Sequence, residues 1–169
     1  MTDPMADEAA NITPLHGEEG GIGFRSPPHN FEAEMALLGA ILVNNRSFER
    51  VQEFLFPEHF ADPAHASVYA ACAHLIEHGQ IADPVTLKNY FKDDTDLQAI
   101  GGQSYIAELA NAVITIQNAL DLGREVYDCF LRRELIDIGG QVVNGAYEYE
   151  LDTPAPQQID RAEEMLFQL

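Results

Sequence analysis

Lysine occurs only twice in the 169 residues, at Lys88 and Lys92, and the seven arginines are scattered apart from the pair Arg132-Arg133. Affinity for nucleic acid needs several cationic side chains set against phosphates. With 28 acids against 9 bases the chain carries a formal charge of −19, so most of its surface repels a phosphate backbone and tight direct binding of DNA or RNA is not expected. The same sign disfavours an anionic membrane, and the longest strongly apolar run, Ala36 to Val43, is far too short to span one. Cysteine is equally scarce. Cys72 and Cys129 stand in apolar helical patterns with no C-x-x-C pairing, which reads as two buried free thiols. The start, Met1-Thr2-Asp3-Pro4, has no basic stretch followed by an apolar core, so the sequence predicts no secretory signal and a cytoplasmic setting.

The motifs of common catalytic chemistries are also missing. Neither lysine follows a glycine, which excludes the Gly-Lys-Ser/Thr loop that cradles nucleotide phosphates. No His-Glu-x-x-His, Glu-x-x-His, His-Asp or Gly-x-Ser-x-Gly occurs, against zinc proteases, ferritin-like carboxylate sites, His-Asp hydrolases and serine hydrolases. His74 and His78 lie one helical turn apart. Both sit near a helix C-terminus, where imidazolium is favoured without a metal. Glu77 is their one neighbour at ligand spacing, so no metal site is expected.

What remains is helical periodicity. An apolar share of 46% is ordinary for a globular protein, and no alternating run with turn chemistry marks a strand pair, so the fold class is all-α. Residues 1–29 hold glycine, proline and acids without a sustained period and read as a flexible acidic arm, with Ile12, Leu15, Ile22 and Phe24 as its apolar points. A helical head follows over residues 30–115. Asn30 is suited to cap a first helix with Phe31, Met35, Leu38 and Leu42 inward and Leu37 and Ile41 beside them. Ser47 is suited to cap a shorter helix with Phe48, Val51 and Leu55, ended by Phe56-Pro57. A third helix runs from His65 to His78 with Gly79 as its stop, and Asp83-Pro84 opens a fourth carrying Leu87, Tyr90 and Phe91. A weak turn around Leu97 to Ile100 and a helix with Tyr105, Ile106, Leu109 and Val113 complete the head.

Residues 116–169 predict a long antiparallel helical hairpin. From Ile116 to Tyr149 there is no proline, and Leu120, Tyr127, Leu131, Leu135, Ile138, Val142, Ala146 and Tyr149 wind one apolar stripe along a helix. Val126, Phe130, Ile136, Val143 and Tyr147 form a second row, more apolar surface than one neighbouring layer covers. After Pro154-Ala155-Pro156, Ile159, Ala162, Leu166 and Leu169 give a short helix that needs the long one for stability. A hairpin leaves one face open, to be covered either by a second copy across a two-fold axis or by the rest of this chain. Tyr127, Leu131, Leu135 and Ile138 are the residues expected to carry self-association. Gly123, Gly139, Gly140 and Gly145 weaken the helix by about 2 to 4 kcal/mol together. Gly139-Gly140 marks either a close helix approach or a bend or break.

The order of these pieces resembles the N-terminal domain of the bacterial replicative hexameric DNA helicase of the DnaB type. Pro28-His29-Asn30-Phe31-Glu32-Ala33-Glu34 followed by Leu38-Gly39-Ala40-Ile41-Leu42 is similar to that family's opening helix. His59-Phe60 with His65 and Tyr69, then Gly79 and Asp83 with Thr86-Leu87, match its second block. Gly101-Gly102 with Tyr105-Ile106 and Leu109 match the third, and Arg133-Glu134-Leu135-Ile136 with Ala162-Glu163 and Phe167 fit its hairpin. The resemblance implies a non-catalytic collar domain whose hairpins pair between subunits, in dimers that build up to a hexamer, and on which primase docks, with the helicase loader a further partner. By matched position it places Tyr105, Ile136 and Val142 at the primase contact, although spacing alone leaves open that all three are core. It also implies that ATP and magnesium belong to a motor domain beyond Leu169, of which this chain is the N-terminal neighbour. Two other classes stand beside it: a free-standing helical adaptor, and a small helical enzyme using His59, His65 or Tyr69.

Overall fold

The computed structural model describes residues 26–91, 102–111, 118–147 and 154–169. Every element in them is helical: α1 (Phe31–Val43), α2 (Arg46–Glu49), one 3-10 turn (Pro57–His59), α3 (Pro63–Glu77), α4 (Pro84–Tyr90), α5 (Gly102–Asn111), α6 (Ala119–Tyr147) and α7 (Ala155–Phe167). The acidic arm up to residue 25, the turn at Leu97–Ile100, Val113 and Tyr149 lie outside the described residues.

Short polar side chains set most of the helix starts. Asn30 Oδ1 accepts from Ala33 N at 3.0 Å, and Asp83 Oδ1 accepts from Val85 N and Thr86 N at 2.9 and 2.8 Å while Thr86 Oγ1 accepts from Asp83 N at 2.9 Å, a reciprocal capping box behind Pro84. The third helix begins two residues before His65, because Asp62 Oδ1 accepts from Ala64 N at 2.8 Å and Pro63 takes the first helical position. It ends as expected at Gly79, whose φ of +72° suits glycine, with Gly79 N donating to Ile76 O and Gln80 N to Leu75 O. Ser47 is not a cap. The second helix starts behind Asn45, whose side chain turns away to donate to Ile41 O and Ala82 O and to accept from Ala82 N, tying the end of α1 to the approach to α4. Only one turn of helix survives there, yet the turns after it still bury Val51 and Leu55.

Helix α1 is the centre of the head. Ala33, Leu37, Leu38, Ile41 and Leu42 are buried on it, with α3, α5 and the first half of α6 packed around. Phe31, expected inward, is exposed; it sits in the first turn and stacks with His29 at 4.3 Å, at the rim of the core.

The long helix is continuous for 29 residues, unbroken at Gly139-Gly140. Its buried line is not the expected stripe. Ala119, Leu122 and Val126 join the core of the head and Gly123 abuts Val51, while Cys129 and, from the expected stripe, Ile138 are also buried; Arg133 closes the junction by donating to Pro28 O at 2.9 Å and His59 O at 2.7 Å. Beyond Arg133 the helix leaves the core of the head, and among the described residues its cover comes from α7. There the half-buried residues of α7 are Gln158, Ala162 and Met165, while Ile159 and Leu166 lie exposed. The stripe read from the sequence therefore falls on the flank of the pair, because an apolar row alone does not say which neighbour the chain brings to it.

The helical glycines differ in surroundings. A Cβ at Gly123 meets Val51 Cγ1 at 2.7 Å and Phe54 Cζ at 3.3 Å, whereas at Gly139, Gly140 and Gly145 it meets nothing within 4 Å. Gly123→Ala is expected to destabilise by about 1 to 3 kcal/mol through overpacking, and Gly140→Ala to stabilise the monomer by about 0.5 to 1 kcal/mol. Urea unfolding of the two variants checks both signs.

Candidate functional site

An acid set within an apolar row builds the inside of the head. Glu34 precedes Leu37, Leu38 and Ile41 by three, four and seven residues on the buried side of α1, and a carboxyl group there costs stability unless it is hydrogen-bonded. It is fully engaged. Glu34 Oε1 accepts from Ala61 N at 2.8 Å, and Oε2 accepts from Asp62 N at 3.3 Å and lies 2.6 Å from His65 Nδ1. The other ring nitrogen of His65 meets the hydroxyl of Tyr105 on α5. One line of polar contacts thus joins α1, the start of α3 and α5.

The residues an enzyme would use are occupied by structure. His65 is buried with both nitrogens engaged. Tyr69 donates its hydroxyl to Leu55 O at 2.9 Å, and burial pushes its phenol well above the ordinary range. His59 Nδ1 accepts from Phe56 N at 3.1 Å, and its ring lies against Phe130 and Tyr127 at 4.3 and 5.0 Å. Cys72 and Cys129 are free and buried, the Cys72 thiol pushed up to about 12 by burial. His78 Nδ1 is 2.7 Å from His74 O within their own helix turn. Among the described residues no group of three or more His, Cys, Asp or Glu is arranged to hold a metal, and no helix is long and apolar enough to cross a membrane.

Apolar side chains are left open on the head, at Phe31, Val43, Phe56, Ile81, Val85 and Tyr90, and in a closer row on the hairpin. Leu135 is 51% exposed, Ile136 59% and Val142 41%, with Val143, Tyr147, Ile159 and Leu166 also open. At 100° per residue these fall into two faces. Leu131, Leu135 and Val142 share one flank. Ile136, Val143 and Tyr147, at steps of seven and four, share another, on the side of α6 away from Ile138.

The residues singled out from the sequence are divided by this geometry. Of the self-association set, Ile138 is buried at 9% exposure and Tyr127 is half-buried against Phe54 and His59, both within this chain, while Leu131 is half-buried and Leu135 open. Of the primase set, Ile136 and Val142 are on the surface of α6, whereas Tyr105 is half-buried with its hydroxyl on His65. The structure does not gather Tyr105, Ile136 and Val142 into one cluster within a single chain. Glu34 and Arg133 carry the head and its junction with the hairpin without having been assigned those tasks from the sequence. The signal for Glu34 was present, an acid in register with a buried leucine row; nothing local pointed Arg133 at the carbonyls of Pro28 and His59.

Residues 26–128 match the family described as DnaB-like helicase N terminal domain. The replicative DNA helicase DnaB of Rickettsia typhi is 42% identical over 142 residues, 84% of this chain and 29% of that protein. The replicative DNA helicase DnaB of Geobacillus stearothermophilus is 33% identical over 126 residues, 75% of this chain and 28% of its own length. The chain thus spans under a third of these relatives. Among solved structures, the N-terminal domain of DnaB helicase from Mycobacterium tuberculosis superposes with a TM-score of 0.74 at 31% identity, covering 85% of this chain and 99% of that one. A DnaB-like replicative helicase solved to describe its interactions with primase gives 0.64 at 26% identity, covering 82% and 31%.

Burial lowers the His59 pKa from its ordinary 6.5, with Glu58 opposing and Arg133 adding to the fall. The unfolded chain therefore takes up this proton first, so the stability His59 contributes is complete above 6.5 and is lost as pH falls below it. Protonation at Nδ1 would also remove the acceptor for Phe56 N. The melting temperature is expected to drop between about pH 7 and about pH 5, and to drop less in His59→Gln; thermal scans across that range compare the two slopes.

Proposed function

The chain belongs to the DnaB-like helicase N-terminal domain family, and from that membership we propose that it is the non-catalytic collar domain of a cytoplasmic replicative DNA helicase, which supports subunit assembly and docks primase during DNA replication. The single observation that carries this reading is the pair of open apolar faces on the hairpin, beside a head whose core is closed. A monomer leaves Leu135, Ile136, Val142 and Val143 in water, and burying such a face on another protein gains about 25 cal/mol for each Å² removed from solvent.

The two faces suit two partners. Leu131, Leu135 and Val142 lie on the flank of α6, where pairing with a second hairpin would bury them, in dimers that build toward a hexamer. Ile136, on the other face with Val143 and Tyr147, is the anchor for primase, with Tyr105 and, at the edge of the pairing flank, Val142 as the further contacts the family resemblance assigns; the primase interaction of one structural relative supports this. The loader is a further partner on the same grounds. ATP and magnesium belong to the motor of the whole helicase. This chain has no Gly-Lys-Ser/Thr loop to hold nucleotide phosphates, so no nucleotide chemistry runs through its residues, and the charge of −19 leaves DNA to other parts of the protein.

Ile136→Ala is expected to weaken binding of the cognate primase's C-terminal domain by at least about 1 kcal/mol, with little change in melting temperature because the side chain is open. Titration calorimetry beside melting curves measures both, and unchanged affinity removes Ile136 from the contact. Leu135→Glu is expected to shift the domain toward monomer, since the charge would be buried unpaired in the pairing face. Light scattering over a concentration series reads this; a parent that stays monomeric at high micromolar concentration defeats the pairing.

A further inference from the structure

Between the head and the hairpin lies a cleft of about 720 Å³ that neither open face uses. Its floor is apolar and aromatic, made by Phe54, Tyr127 and Phe130 with Ile138 and Met165, and the His59 ring joins the same cluster. Three acids, Glu53, Glu134 and Asp137, stand among the lining residues, and no lysine or arginine does. Asp137 accepts from Gln141 Nε2 at 2.7 Å, and among the described residues none of the three acids has a cationic partner. Arg133, next to Glu134 in the sequence, is taken up by the carbonyls of Pro28 and His59.

An aromatic floor beside unpaired carboxylates suits a cation with an apolar stem. We propose that this cleft seats a basic amphipathic helical segment of a partner protein, with apolar side chains on Tyr127, Phe130, Ile138 and Met165 and lysine or arginine heads on Glu53, Glu134 and Asp137. Charge selects the occupant. A second copy brings a charge of −19 and only nine basic residues, and residues 1–25 carry five acids and one arginine, so both approach an acidic rim with the wrong sign. A basic helix laid into the groove offers the complementary pattern. The site is separate from the proposed primase anchor: Ile136 and Ile138 are two residues apart on one helix, about 200° around its axis. The two assignments therefore stand or fall independently.

The test uses the 169-residue chain and a fluorescein-labelled helical peptide of leucine and lysine in amphipathic register, read by fluorescence anisotropy at physiological salt. A matched peptide with glutamate in place of lysine is the second probe. The triple variant Glu53→Gln, Glu134→Gln, Asp137→Asn is compared with a control that removes the same charge from exposed positions elsewhere: Glu32→Gln, Asp160→Asn, Glu163→Gln. The cleft variant is expected to weaken lysine-peptide binding by about tenfold or more and the control by less than about twofold, with no binding of the glutamate peptide. Equal losses in both variants would mean general attraction to an acidic protein and overturn the proposal, as would no loss in the cleft variant. Light scattering on the cleft variant guards the remaining case, since a change in its oligomeric mass would assign the cleft to a second copy and also overturn it.

Discussion

The contact on which the head depends is the hydrogen-bonded carboxyl of Glu34. It sits on the central helix, where leucine would be the simpler choice, and it is tolerable only because Ala61 N, Asp62 N and His65 Nδ1 all point to it. Those partners lie at the turn that starts α3, and His65 carries the link on to Tyr105 of α5. Buried hydrogen bonds have stricter geometry than apolar packing, so this chain of contacts selects one relative placement of three helices. Loss of any member leaves the others buried without partners.

That rigidity has a use at the junction with the hairpin. The segment from Phe56 to Asp62 runs from the His59 ring cluster to the Glu34 network, and Arg133 grips it from the long helix at His59 O. The angle at which α6 leaves the head is thus set by one guanidinium with two carbonyl partners and by the packing of Leu122 and Val126 on the core. Past this point, among the described residues, α6 is covered by α7. Side chains packed on the core of the head, such as Val126, and open ones, such as Leu135, Ile136, Val142 and Val143, thus follow one another along a single helix.

Much of the head was legible in the sequence because its signals are local. Asn30, Asp83-Pro84 and Gly79 act on backbone groups within a few residues, and each did what its chemistry predicts. Ser47 failed because Asn45, two residues earlier, is drawn away by Ala82, a contact 37 residues distant that no local rule contains. On the long helix both apolar rows are left partly open past Arg133, Leu135 and Val142 of the one and Ile136, Val143 and Tyr147 of the other, while Val126 of the second row packs on the core of the head and Ile138 of the first is buried. Periodicity measures the direction of a face relative to its own helix; it carries no information about which other element arrives there.

By itself the sequence determined the helical class, most of the cap and stop positions and the absence of a phosphate-binding loop, since all of these follow from residue type and short spacing. Its acidity likewise determined what the surface repels, because charge needs no fold to be counted. Only the tertiary structure decided that Glu34 would be the organising polar group, that Arg133 would close the head onto the hairpin, and that Ile138 would be covered while Ile136 stays in water. Each of these depends on side chains from distant segments converging in three dimensions, and that convergence follows from the packing of whole helices rather than from any local stretch of chain.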